Sequence, residues 1–263
     1  MPRVYTYGPF KSRRLGLSLG VDILPREKVC TYNCVYCEIG PTKNLVSPRY
    51  RIISPPSNGF SRELKDILRF FPHLDSITIG YNGEPTLNEN ILEFYNITKQ
   101  IRGELIWTNK PPVISLFTNS STLYLDEIRK KIKNFDYVIA KLDCVADVDF
   151  RATNRPHEEC PNPEMIIASL KKLKKELNQN RLIIQSLIYN SNRKDFSSNN
   201  NEDNIRQLAF ALKKIKPDKV QIYSIARIPS EPFVFSIAEE RKREIVNLIK
   251  KIIKNDLIQI DYY

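Results

Sequence analysis

Two rhythms of apolar residues alternate along this chain. Short runs rich in β-branched residues, at 19–24, 75–80, 113–117, 137–142, 181–188 and 220–224, read as strands. Between them the apolar positions take helical spacing. In 61–71, Leu64, Ile67, Leu68 and Phe71 share a face; in 163–177, Ile166, Ile167, Leu170, Leu173 and Leu177 do. Further helices are expected at 88–101, 122–133, 204–215 and 238–254, and a last strand at 257–260. Ser61, Asn88 and Ser121 or Thr122 stand where helix caps are needed. Strands alternating with helices of this length imply parallel pairing in βα units. The chain therefore predicts an α/β fold, a partial (βα)6 barrel, with working residues on the loops that follow strands. Residues 1–18, rich in Pro, Gly and Arg, read as an extended lead-in. The polar run 189–204 reads as a mobile loop after the fifth strand, most simply a solvated one.

Composition narrows the class. At 263 residues the whole chain, 1–263, reads as one large domain. Hydrophobic content is 41%, no apolar run reaches membrane-spanning length, and the start has no secretory apolar region. A cytoplasmic, reducing location and no membrane partner are expected. The formal charge of +11 suits a polyanion such as tRNA. A lysine- and asparagine-rich composition explains the same charge equally well. Lys171, Lys172, Lys174 and Lys175 read as the wet face of a helix.

The concentrated chemistry lies in Cys30-Thr-Tyr-Asn-Cys34-Val-Tyr-Cys37, spaced C-x3-C-x2-C directly after the first strand. Soft thiolates select iron–sulfur clusters, copper(I) or zinc. A structural zinc site wants four protein ligands, and no histidine or fourth cysteine lies nearby in sequence. A disulfide reading fails on an odd count without secretory context. Three thiolates suit a four-iron cluster with one iron left without a protein ligand. Cys144 and Cys160 are too few for a second cluster and read as small buried residues or free thiols.

This spacing resembles the signature of the radical S-adenosylmethionine (SAM) superfamily. The resemblance implies a [4Fe-4S] cluster on Cys30, Cys34 and Cys37, with SAM as second cofactor, cleaved to a 5′-deoxyadenosyl radical. It implies a partial barrel and an external electron donor of flavodoxin or ferredoxin type. Tyr36 matches the aromatic residue that packs near adenine. Asn82-Gly83-Glu84-Pro85 resembles the superfamily's Gly-Gly-Glu-Pro segment, which makes Gly83, Glu84 and Pro85 cofactor-binding candidates. Phe117-Thr118-Asn119-Ser120 resembles a Thr-Asn-Gly segment, with Ser120 in place of glycine, and Asn119 and Ser120 are candidates for the ribose or carboxylate of SAM. Asp143 is the candidate catalytic residue, for substrate contact or SAM ribose. Gln185 is a further cofactor candidate, Gln221 lies in the next strand, and Arg155 and His157 are candidates for an anionic substrate group.

Longer blocks are similar to the small archaeal and bacterial Fe–S oxidoreductases grouped with tRNA wyosine biosynthesis. These are Tyr7 to Asp22, Gly83 to Leu87, Lys141-Leu142-Asp143 and Asn154-Arg155-Pro156-His157. The chain departs from 4-demethylwyosine synthases, which hold a second cluster on three upstream cysteines, because none precedes Cys30. Arg13 and Arg14 are candidate phosphate contacts, or partners for acidic residues near the start of the barrel. The reading is a radical SAM enzyme modifying tRNA. The alternatives are one acting on a peptide, a glycyl-radical partner or a small molecule, and a non-catalytic metal-binding module. Oligomeric state stays open.

Overall fold

The computed structural model describes residues 3–179, 181–254 and 257–263. Met1 and Pro2 of the expected lead-in lie outside them. Eight strands form one sheet in chain order: β1 (Thr6–Ser12), β2 (Gly16–Val21), β3 (Ser76–Ile79), β4 (Val113–Thr118), β5 (Tyr137–Lys141), β6 (Arg181–Leu187), β7 (Lys219–Tyr223) and β8 (Gln259–Tyr262). β1 pairs antiparallel with β2, and each later pairing is parallel. The helices are α1 (Asn58–Phe70), α2 (Ile91–Glu104), α3 (Asp126–Ile132), α4 (Asp147–Asn154), α5 (Pro163–Glu176), α6 (Glu202–Ile215) and α7 (Glu239–Ile253). Among the described residues, no helix is long and apolar enough to cross a membrane.

Period-two alternation splits each strand between two environments. Leu19, Val21, Ile77, Ile79, Leu116 and Ile184 face outward into one buried cluster with the apolar stripes of the helices. The alternate residues line the inner face, and on β2 to β4 most of these are small, Phe117 being the large exception. Ser18 Oγ lies 2.9 Å from Thr78 Oγ1, Ser76 Oγ 3.0 Å from Thr78 Oγ1, and Ser76 Oγ 3.2 Å from Ser115 Oγ. On β5 to β7 the inner residues are long: Lys141, Gln185 and Gln221 stand side by side in register.

The sheet curls into a partial barrel. Arg14, in the turn joining β1 and β2, donates to Gln185 Oε1 on β6 at 3.4 Å. Its guanidinium lies 4.4 Å from the centre of the Tyr223 ring on β7. One edge of the sheet thus touches strands close to the other edge.

Three local expectations change. The lead-in is not merely extended. It forms β1, whose alternation is hidden by Gly8-Pro9 and by a register shift between Tyr7 and Phe10. α4 carries no apolar period to predict it, since of its eight residues Phe150 alone is a buried apolar one. The caps fall elsewhere. Ser57 accepts from Gly59 N at the start of α1. The Asn88 amide instead donates to Ile23 O (2.7 Å) and Ser54 O (3.3 Å). Ser121 and Thr122 precede α3 and bond to Thr31 and Thr86. The polar run 189–204 sends Tyr189, Asn199 and Asn204 into the interior. The Asn199 and Asn204 amides both donate to Asp143 O, at 3.4 and 3.0 Å, tying this run to the end of β5.

The hairpin is seated by Tyr7. Its ring covers Gly20 and its hydroxyl donates to Gly80 O at 2.7 Å. A Cβ on Gly20 would stand 2.0 Å from Tyr7 Cζ. Gly20→Ala is expected to destabilise the protein by about 1–3 kcal/mol through this overlap, measured as a lower midpoint of denaturant unfolding. An unchanged midpoint would show that the ring does not need this seat.

Candidate cluster-binding site

The cysteine loop leaves the C-terminal end of β2, where the barrel order places working loops. It is fixed first by backbone. Val29–Cys30 pairs in parallel with Asn44–Leu45, and Val29 also bridges to Gly83. Glu84 N donates to Val29 O at 3.1 Å, and Val29 N to Asn82 O at 3.4 Å. The Asn82 amide donates to Pro25 O and Arg26 O at 2.8 and 2.7 Å. Gly83 has φ +133°, and a Cβ there would stand 1.8 Å from Val29 O. Only glycine allows this approach at this dihedral angle.

Each sulfur of the motif receives one side-chain donor from a different part of the chain. Asn119 Nδ2, past β4, donates to Cys30 Sγ at 3.5 Å. Asn154 Nδ2, at the end of α4, donates to Cys34 Sγ at 3.4 Å. Lys28 Nζ donates to Cys37 Sγ at 3.1 Å and to Gly40 O at 2.6 Å. Burial, with Cys34 adding to it, pushes the Cys30 thiol up to about 12. Burial and Cys37 push Cys34 up to about 11. These thiols stay protonated at neutral pH unless a bound cation takes the place of the proton. Among the described residues, no group of three or more His, Cys, Asp or Glu gathers around a point where a metal ion would sit.

Glu84 is 1% exposed and faces inward. Its Oε1 accepts from Thr86 N (3.2 Å), Thr86 Oγ1 (2.6 Å) and Thr118 Oγ1 (2.8 Å), and Oε2 accepts from Asn119 N (2.6 Å). Burial raises its pKa and these hydrogen bonds oppose the shift. This carboxylate, a cofactor-binding candidate, holds the end of β4, and with it Asn119, in place. Pro85 opens the short 3-10 turn Pro85–Leu87 behind it. Asn119 Nδ2 also donates to Thr31 Oγ1 at 2.8 Å. Ser120, which stands where the resembled segment has glycine, takes φ +74°. Its hydroxyl donates to Lys141 O at 2.7 Å, an anchor that glycine lacks.

A second polar group lies at the end of β5. Asp143 Oδ1 receives Lys141 Nζ at 2.9 Å and Leu187 N at 2.8 Å. Its Oδ2 receives the Tyr36 hydroxyl and, at 3.2 Å, Asn154 Nδ2. With four donors and a side chain 1% exposed, Asp143, the candidate catalytic residue, holds Tyr36, Lys141 and Asn154 in place. Lys141 Nζ also donates to Tyr223 Oη at 2.8 Å and sits 4.8 Å from the ring centres of both Tyr36 and Tyr223. Burial lowers its pKa, but Asp143 and Tyr223 outweigh that and raise it. Gln185 does not meet the cysteine loop. It lies deeper, with its amide donated to Gln221 Oε1 at 2.7 Å. Arg155 is paired with Glu231, and His157 Nδ1 accepts from Glu159 N at 3.2 Å, so both anion candidates are engaged locally. Cys144 is buried, and Cys160 Sγ donates to Thr31 O at 3.5 Å.

Lys28 and Asn154 join the site without having been singled out as site residues. Lys28 stood two residues before Cys30, where a cation beside a thiolate was available as a signal. Asn154 was visible only within a resembled block, because a lone asparagine after an unread helix carries no pattern.

No family model matches the chain. The UPF0026 protein of Methanocaldococcus jannaschii is 31% identical over 257 residues, which are 97% of this chain and 74% of that protein. The chain belongs to the UPF0026 family. Among solved structures it is similar to Streptococcus suis SuiB bound to S-adenosylmethionine, with TM-score 0.61 and 13% identity over 93% of this chain. It is also similar to TYW1 with a lysine-pyruvate adduct bound, with TM-score 0.58 and 14% identity over 89% of this chain. The chain spans 50% of SuiB and 73% of TYW1. The fold is the partial barrel that these structures share, as the alternation of strands and helices led one to expect.

Glu84→Gln puts an amide N–H against Asn119 N–H in a buried place. A loss of about 1–3 kcal/mol is expected despite removal of a buried charge, read from chemical denaturation of the metal-free protein. Equal or higher stability would show that Glu84 is not the clamp on β4.

Proposed function

We propose that this chain is a radical SAM enzyme, with a [4Fe-4S] cluster on Cys30, Cys34 and Cys37, acting on tRNA. The observation that carries the cluster reading is the provision of one hydrogen-bond donor to each sulfur, from Asn119, Asn154 and Lys28. Donors aimed at sulfur stabilise thiolate charge when a metal is bound. A cluster with one thiolate per iron also does not require its ligands to converge on a single point. Such a cluster, when reduced, supplies the electron that cleaves SAM to methionine and a 5′-deoxyadenosyl radical.

The chain's own residues hold and orient. Gly83 lets the segment after β3 press against the loop. Tyr36 is fixed by Asp143 and Asn154, with the Lys141 ammonium over its ring. An external electron donor of flavodoxin or ferredoxin type approaches the half-buried Cys37 side of the loop. The tRNA reading is supported by the charge of +11 and by the sequence blocks similar to wyosine-related proteins.

Anaerobic reconstitution should load about four irons and, after reduction with SAM, give 5′-deoxyadenosine. Changed singly to Ala, Cys30, Cys34 and Cys37 should each abolish that product. Retained activity in any one of them would remove it from the ligand set, and a loaded wild type that makes none would reduce the chain to a metal-binding module.

Substrate class is tested separately by tRNA affinity against salt. With six or more phosphate contacts, binding should fall roughly a thousandfold between about 50 and 200 mM salt. A weak, flat response would move the reading to a peptide or a small molecule.

A further inference from the structure

The inner face of the barrel carries hydrogen-bond donors in excess of acceptors at one place, separated from Tyr36 of the cysteine loop by Tyr223 and Lys141. Arg14 projects from the β1–β2 turn, at the N-terminal ends of the parallel strands. Its guanidinium has five N–H donors, of which the contact to Gln185 Oε1 at 3.4 Å uses one. No carboxylate pairs with it among the described residues, and its remaining contact is the Tyr223 ring. Gln185 passes its own amide to Gln221 Oε1. Gln221 is 0% exposed, and its Nε2 has no hydrogen-bond partner. A buried donor without an acceptor costs about 1–3 kcal/mol, so it marks a place where an acceptor belongs. Across the same Tyr223 ring lies Lys141, whose charge is matched by Asp143. The charge of Arg14 is not matched.

We propose that Arg14 and Gln221 form the floor of a substrate subsite that takes an oxyanion, a carboxylate or a phosphate. The anion accepts from the free guanidinium N–H groups and from Gln221 Nε2. It lies on the Tyr223 side of the interior, below the Tyr36–Asp143–Lys141 group. On the opposite strands Ser18 and Thr78 carry short side chains bonded to each other, and the Tyr7 ring covers Gly20. The subsite rests on the radical SAM reading for its meaning as a substrate site, but its anion chemistry rests on Arg14 and Gln221 alone.

Calorimetric titration of the cluster-loaded protein with acetate, and separately with methyl phosphate, tests it. Saturable binding of either is expected, and the stronger probe names the group. Arg14→Gln should weaken that binding by about tenfold or more. Should Arg14→Gln fail to fold, as judged by circular dichroism, Gln221→Met is the second variant and should weaken binding in the same direction. Absence of saturation with both probes, or unaltered affinity in a folded variant, overturns the subsite. Iron content and 5′-deoxyadenosine yield of the same wild-type preparation are scored apart. Anion binding that fails while these succeed removes the subsite alone, and the reverse result removes the radical SAM reading alone.

Discussion

The site depends on one contact between two stretches of backbone, Val29 against Gly83. No side chain intervenes, because a Cβ at Gly83 would overlap Val29 O. Through that contact the loop after β2 and the segment after β3 become one rigid unit, with Asn82 and Asn88 tying Pro25, Arg26 and Ile23 to it. The loop of eight residues sinks Tyr32 and Val35 into the apolar core, which holds it down but leaves its backbone course open. The borrowed backbone partners fix that course.

That unit passes its order on. Glu84, the residue after Gly83, reaches under the loop to clamp Thr118 and Asn119 at the end of β4. Asn119 then points at Cys30. Ser120 anchors to Lys141 O, and Lys141 and Asp143 hold Tyr36 beside Cys34. Each strand end is thereby tied to the next, in the order in which the strands lie in the sheet. Burial makes the arrangement demanding, since a buried carboxylate with a missing donor is costly. The close-fitting donors around Glu84 and Asp143 meet that demand.

Sequence patterns reached the strands and most helices because each carries its own period. Tyr137–Lys141 and Arg181–Leu187 advertise themselves in their apolar residues, and the six expected helices lie within a few residues of α1, α2, α3, α5, α6 and α7. α4 and β1 were not legible: one has too few apolar residues, and the other has its alternation broken at Gly8-Pro9. The cysteines were legible because their spacing is chemistry in itself. The surroundings of Glu84 and Asp143 were not, since the letter of a carboxylate does not say which donors meet it. The fold brings four to each, from distant parts of the chain. The polar run 189–204 hid buried asparagines for a related reason. Composition reports solvation on average, while Asn199 and Asn204 satisfy backbone carbonyls inside the fold.

The two halves of the inner face divide the work differently. β2 to β4 contribute hydroxyls that satisfy one another, so this side is polar yet has few donors to spare. β5 to β7 contribute long side chains whose needs are met across strands, down to Gln221 Nε2, which is left over. Arg14 enters this second half from the hairpin, an element outside the parallel series. The cysteine loop and its clamps are thus built by the ends of β2 to β5, while the floor is completed by a turn at the other end of the strands. A substitution in that turn changes the charge of the interior without touching Val29, Gly83 or any sulfur. The Arg14 end of the interior and the cysteine loop thus rest on different elements, so either can change while the other stays fixed.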